Sequence, residues 1–233
     1  MVLAGLLLAA CDGPQSALDP AGREAAGILT LFWVILAVSA VVWIAMMGAT
    51  IYFVLRPPGD DPERDATRLI IGGGVIFPTV GLAIFLGFGL SMLPDWRESG
   101  ARLTVKAQGE QWWWRFTYED GDGEPVVGAN ELHLPAGEPV EFVLTANEVI
   151  HSFWIPAIGG KLDMIPGHTN RLRLTAERPG VYRGVCAEFC GPSHALMAFE
   201  VVVHERADFE RWLAAQAVPA AAATASAAPV DGA

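Results

Sequence analysis

The chain has 233 residues, of which 52% are hydrophobic and only 18% charged, with a mean hydropathy of +0.37. Those values set aside a wholly water-soluble protein and place part of the chain in lipid. A formal net charge of −11 and a pI near 4.8 argue against nucleic acid or an anionic lipid surface as the main partner and favour a cationic one.

Residues 1–10 are almost wholly apolar and end in Leu8-Ala9-Ala10 before Cys11, the pattern of a bacterial lipoprotein signal cleaved ahead of a lipidated cysteine. Residues 11–27 then form an N-terminal segment outside the membrane. No charged side chain occurs between Glu24 and Arg56, and residues 28–55 would rise about 42 Å as a helix, enough to cross a ~30 Å hydrocarbon layer with some tilt. A second uncharged run, residues 69–94, carries Gly72, Gly73, Gly74, Gly81, Gly87 and Gly89, with Pro78 inside it. Small residues let helices approach closely in lipid, so this pair is expected to lie against a larger membrane protein. The connection, residues 56–68, holds Arg56, Arg64 and Arg68, against Arg23 alone before the first crossing, which puts the loop in the cytoplasm and both ends of the chain outside.

From Ala101 the pattern changes to short alternating runs between turn residues, such as Val140-Glu141-Phe142-Val143-Leu144-Thr145 and Phe199-Glu200-Val201-Val202-Val203. Seven to nine such strands within residues 101–213 predict an all-β Greek-key sandwich or barrel. Residues 208–213 read as a short closing helix, and the alanine-rich residues 214–233, with Pro219 and Pro229, as a disordered tail.

Chemistry concentrates in Val185-Cys186-Ala187-Glu188-Phe189-Cys190-Gly191-Pro192-Ser193-His194-Ala195-Leu196-Met197. Soft thiolate and thioether donors beside an imidazole select copper, because zinc rarely takes methionine and hard cations prefer oxygen. A single blue-copper ion needs one cysteine, so a second implies two thiolates bridging two coppers. Each copper then needs a terminal imidazole; His194 supplies one and His151, on the strand Val149-Ile150-His151-Ser152-Phe153-Trp154-Ile155, the other. Met197 and the backbone carbonyl of Glu188 complete the set as weak ligands. The competing reading of Cys186 and Cys190 is a disulfide formed outside the cytoplasm.

These residues resemble subunit II of the haem–copper cytochrome c oxidases, over about residues 17–213. The resemblance rests on the cysteine loop, on His151-Ser152-Phe153-Trp154-Ile155-Pro156, on Lys161-Leu162-Asp163-Met164-Ile165-Pro166-Gly167 and on Gln111-Trp112-Trp113-Trp114. It implies a cupredoxin-like domain facing the periplasm from a bacterial inner membrane. It further implies a binuclear copper centre (CuA) on Cys186, Cys190, His151, His194, Met197 and the Glu188 carbonyl, and a magnesium reached by the Glu188 carboxylate at the boundary with subunit I. Subunits I and III and a cytochrome c are the implied partners, with electrons entering at Trp112. Strand alternation would set Trp112 and Trp114 on one face and Trp113 on the other. Glu110, Glu119, Asp120, Asp122, Glu124, Glu148 and Asp163 are candidate carboxylates around the entry point. Many members of the family carry a glutamate seven residues before the proline of the second crossing, where this chain has Ile71, so no proton pathway is assigned. A membrane-tethered copper-delivery protein is the alternative function; it predicts one exchangeable copper in place of a buried pair.

Overall fold

The computed structural model describes residues 13–56, 61–91, 101–119 and 125–226. The proposed signal peptide and Cys11 lie outside them, as do Asp120, Asp122 and Glu124. The chain divides into two units, one of residues 31–99 and one that combines residues up to Thr30 with those from Gly100 onward.

Among the described residues, two helical segments are long and apolar enough to cross a membrane. Helix α1 (Arg23–Leu55) has 33 residues, a rise of about 50 Å, and starts five residues before the expected crossing. The second segment also begins early. Asp61 caps α2 (Pro62–Leu69) by accepting the Arg64 N–H at 3.1 Å, and Pro62 costs nothing in the first turn, where its missing N–H has no intrahelical partner. Much of the expected cytoplasmic loop is therefore helical. A π-helical stretch, Ile70–Ile76, contains the three consecutive glycines and leads into α3 (Phe77–Ser91), where Pro78 cannot donate the bond an ordinary α-turn would use. The Phe77 N–H reaches back five residues to the Gly72 carbonyl.

The second unit is a sandwich of two five-stranded sheets. One runs β3 (Val126–Ala129), β2 (Trp113–Glu119), β1 (Leu103–Glu110), β5 (Pro139–Ala146), β8 (Asn170–Thr175). The other runs β4 (Glu131–Pro135), β10 (Ala198–His204), β9 (Gly180–Cys186), β6 (His151–Trp154), β7 (Leu162–Met164). Two neighbouring pairs, β1 with β5 and β10 with β4, are parallel, and the rest are antiparallel, as long Greek-key connections require. The expected alternation becomes the burial pattern: in β5, Val140, Phe142, Leu144 and Ala146 face the core and the residues between them face out. Trp114, Phe116, Phe153 and Phe199 form the centre of that core, with ring centroids 5.0 to 6.5 Å apart. Gly184 is obligatory there, because a Cβ on it would lie 2.0 Å from the Phe199 ring.

Residues 13–25 lie against this domain, which the sequence does not signal. Ala21 and Gly22 donate N–H bonds to the Ala157 carbonyl, the Ala21 carbonyl accepts from Glu177, and Arg23 and Arg178 pair with Glu177 and Asp19. Helix α4 (Arg206–Ser226) is the last described element and runs thirteen residues beyond the expected stop at Leu213, while residues 227–233 of the expected tail lie outside the described residues. Alanine has the highest helix propensity, which explains helix where composition alone suggests an unstructured tail.

Candidate metal centre

The donors arrive from two neighbouring strands of one sheet and from the loop that follows. His151 opens β6 and Cys186 closes β9; these strands are antiparallel neighbours, with Phe153 opposite Cys186. The loop from Ala187 is tied down by its backbone. Ala187 donates to the Ser152 carbonyl, Cys186 to Met197 and Met197 to His194. A short 3₁₀ turn, His194–Leu196, places His194 and Met197 over the cysteines.

Donor atoms follow one another at nearly equal steps. His151 Nδ1 lies 3.7 Å from Cys186 Sγ, Cys186 Sγ 3.8 Å from Cys190 Sγ, Cys190 Sγ 3.6 Å from His194 Nδ1 and 3.7 Å from Met197 Sδ, and the Glu188 carbonyl oxygen 3.2 Å from Cys186 Sγ. His151, Cys186, Cys190 and Met197 are all buried. A disulfide would need the sulfurs at about 2.05 Å, and both thiols are free. By contrast, two thiolates sharing a tetrahedral metal at about 2.3 Å from each stand roughly 3.8 Å apart, as they do here. The soft donor set and its spacing fit copper bridged by two thiolates, with an imidazole on each side. The six ligand positions expected from the sequence are thus brought together.

Electrostatics agree. Burial first, and then the nearness of His194, push the His151 imidazole below its usual range against the opposing pull of Glu110, which keeps the ring neutral and able to donate a lone pair. Burial, and the neighbouring Cys186, push the Cys190 thiol up to about 12. A proton therefore stays on that sulfur until a metal cation displaces it. Gly109 makes room for the ring: a Cβ there would stand 2.8 Å from His151 Cδ2.

Trp112 precedes β2 instead of lying in it, so the expected strand alternation does not reach it. Trp114 is fully buried, Trp113 lies under the Arg115 guanidinium at 4.9 Å, and Trp112 is 37% exposed at the turn. Its indole N–H donates to the Cys190 carbonyl at 3.1 Å, and the Gln111 amide donates to the same oxygen at 3.0 Å. Gln111 is a contact that sequence reading missed, since an amide beside an aromatic run carries no signal of its own. Among the candidate carboxylates, Asp163 sits opposite Ser152 beside His151, and Glu110 pairs in register with Trp113. Glu119 does not belong with them: it pairs with Lys106 at the far end of β2, because this strand runs seven residues away from the turn. The Glu188 side chain is exposed, as are Phe189 and Leu196 around it.

Residues 121–205 match the family model described as cytochrome C oxidase subunit II, periplasmic domain. The β-domain belongs to the cytochrome c oxidase subunit II family. Cytochrome c oxidase subunit 2 of Alkalihalophilus pseudofirmus is 38% identical over 223 residues, covering 89% of this chain and 64% of that protein. The subunit 2 of Thermostichus vulcanus is 41% identical over 124 residues, covering 53% of this chain and 36% of that one. The chain thus spans less than two thirds of the length of these relatives. The crystal structure of the periplasmic domain of cytochrome oxidase subunit II from Bradyrhizobium japonicum is similar at 33% identity and a TM-score of 0.46, covering 50% of this chain and 94% of that one.

Proposed function

We propose that this chain is the electron-entry subunit of a respiratory oxidase, taking electrons from a cytochrome c and passing them to haem in subunit I, where oxygen is reduced to water and protons are translocated. The observation that carries the reading is the chain of donors from His151 through Cys186 and Cys190 to Met197, all buried, and to the half-buried His194, at steps of 3.6 to 3.8 Å. Cys186 and Cys190 would hold two coppers between them, His151 and His194 would each hold one, and Met197 and the Glu188 carbonyl would be the weak ligands. When bound, the copper pair would supply a site that takes up and gives back one electron.

The chain's own residues do the rest. Backbone bonds from Ala187, Cys186 and Met197 fix the loop, so the donor geometry has little freedom to change with charge. The half-exposed Trp112 ring, bonded to the carbonyl of a ligand residue, offers an entry point from solvent. Glu110, Glu148 and Asp163 would steer a lysine-bearing cytochrome toward it, which speeds encounter more than it tightens binding. The exposed Glu188 carboxylate is free to meet a magnesium at the boundary with subunit I. Two crossings with a cytoplasmic connection in a bacterial inner membrane, a lipidated Cys11 and association with subunits I and III complete the reading.

The test is the full chain in detergent, loaded with copper and examined by metal analysis and electron spin resonance. One unpaired electron shared equally by two copper nuclei supports the reading. A single-copper signal with freely exchanging metal overturns it in favour of copper delivery.

A further inference from the structure

A second cluster of titratable groups lies outside the metal centre, on the outer face of the sheet that carries β4 and β10. His133 Nε2 is 2.6 Å from Glu131 Oε1, and His133 Nδ1 is 2.7 Å from His204 Nε2. The two imidazole planes lie within 13° and their centroids 5.0 Å apart, which with a 2.7 Å nitrogen contact makes the rings meet edge to edge along one line. Trp212 of α4 covers His133 face to face, with centroids 3.9 Å apart and planes within 13°. It also packs on Tyr118, whose hydroxyl accepts the His133 backbone N–H at 2.7 Å. His133 is only 7% exposed.

Proton counting fixes what this line of atoms can hold. A carboxylate only accepts, so His133 Nε2 carries a hydrogen, and a single hydrogen fits between Nδ1 and the His204 nitrogen. With both rings neutral that hydrogen belongs to His204. One added proton leaves every bond intact, gives the pair a positive charge beside the Glu131 carboxylate, and sets it against the Trp212 ring face. A second added proton points N–H at N–H across 2.7 Å and puts two cations edge to edge. The arrangement is too short for a metal ion between the rings, which would need about 4 Å between collinear nitrogens.

We propose that Glu131, His133 and His204 form a one-proton binding site that locks the C-terminal helix onto the β-domain and releases it when a second proton enters. The surrounding carboxylates favour a proton on the pair, and burial opposes a second one. Glu200 is the register partner of Glu131 on β10, and Asp208 of α4 favours charge on His204 without cancelling the opposing influences of burial and His133. Tyr118, from β2, has its hydroxyl held well above its usual range by burial, and stays neutral. Burial first, and then His133, hold the His204 ring below the ordinary histidine range. A group depressed in the folded state leaves stability complete above its unfolded value, about 6.5, and removes it as the pH falls below that value. Docking of α4 is therefore full at neutral pH and weakens in acid.

Hydrogen exchange by mass spectrometry on the full chain in detergent tests this, with intrinsic rates corrected. Between pH about 7.5 and about 5, protection of residues 206–216 should fall at least about tenfold while that of β5 and β10 holds. His204→Gln keeps a donor and an acceptor but takes no proton, so its helix should be equally protected at both pH values. His168→Gln, at an exposed histidine, should keep the fall. The proposal is overturned if the native helix shows no fall, if the strands lose protection together with it, or if the fall persists in His204→Gln. Should that variant not fold, a fall that persists in His133→Gln overturns the proposal equally.

Discussion

Cys186 and Cys190 face each other across 3.8 Å, and Met197 Sδ stands 3.7 Å from the second sulfur alone. The thioether therefore lies beside one sulfur and the Glu188 carbonyl, 3.2 Å from Cys186 Sγ, beside the other, which under the proposed function makes each the weak ligand of one copper. A weak ligand of this kind tunes the electron affinity of a copper site more than it holds the metal. Met197→Leu fills a similar volume, so the loop should close as before and copper per chain should be unchanged. The reduction potential should move, and the hyperfine pattern should lose its symmetry. Metal analysis with redox titration checks this; loss of both coppers would show that Met197 holds the metal.

Trp112 gives a prediction that separates entry from binding. Its ring is tied to the Cys190 carbonyl but supplies no ligand atom. Trp112→Leu should leave the copper spectrum alone and slow electron uptake from reduced cytochrome c at least about tenfold, each tenfold loss being about 1.4 kcal/mol of barrier. In the native chain the association rate should fall steeply as salt rises, because exposed charges are screened over about 10 Å at 0.1 M. Stopped-flow mixing over a range of ionic strengths measures both. A salt-independent rate would remove the steering role of Glu110, Glu148 and Asp163.

That the candidate donors come together was legible because their pattern is local: five of the six lie within residues 186–197, and soft donors at that spacing point to a copper site before any fold is known. The strand edges were legible from alternation, as in β5 and β10. What escaped was tertiary or cooperative. Nothing in Ala21-Gly22-Arg23 says that those residues bond to Ala157 and Glu177, far along the chain. The apolar run from Leu69 hides a helix that starts at a polar cap, Asp61, because hydropathy reports lipid contact and not helix ends. Glu119 read as an entry-site carboxylate by proximity in sequence, yet strand length carries it to the other end of the sheet.

Asn130 is the one described non-glycine residue with a positive φ, 57°, between β3 and β4. Its side-chain oxygen accepts the Trp114 N–H at 2.8 Å, and its backbone bonds both Trp114 and Glu200. Asparagine tolerates this left-handed conformation better than alanine does. Asn130→Ala should cost about 1 to 3 kcal/mol, from the lost acceptor and the strained backbone together. Asn130→Gly should recover part of the loss. Urea unfolding of both variants measures it, and equal stability of the two would remove the backbone contribution.

Gly109 and Gly184 are both filled by a neighbouring ring, but with different consequences. At Gly184 a Cβ would lie 2.0 to 2.5 Å from three atoms of Phe199, a ring wedged among Trp114, Phe116 and Phe153. Gly184→Ala should therefore cost the whole domain about 1 to 3 kcal/mol or more of stability by overpacking. At Gly109 the obstructed ring is His151, with Cδ2 at 2.8 Å and Cγ at 2.9 Å from the added carbon. A ring that shifts to relieve this contact carries Nδ1 out of its place 3.7 Å from Cys186 Sγ. Gly109→Ala should accordingly weaken copper binding by about 10 to 100-fold, the loss typical of disturbed support around a ligand, and lower the unfolding midpoint less than Gly184→Ala does. Competition with a copper chelator, run beside thermal unfolding of the metal-free chains, separates the two effects. Unchanged copper affinity in Gly109→Ala would mean that His151 is not held in place by the bare backbone of β1.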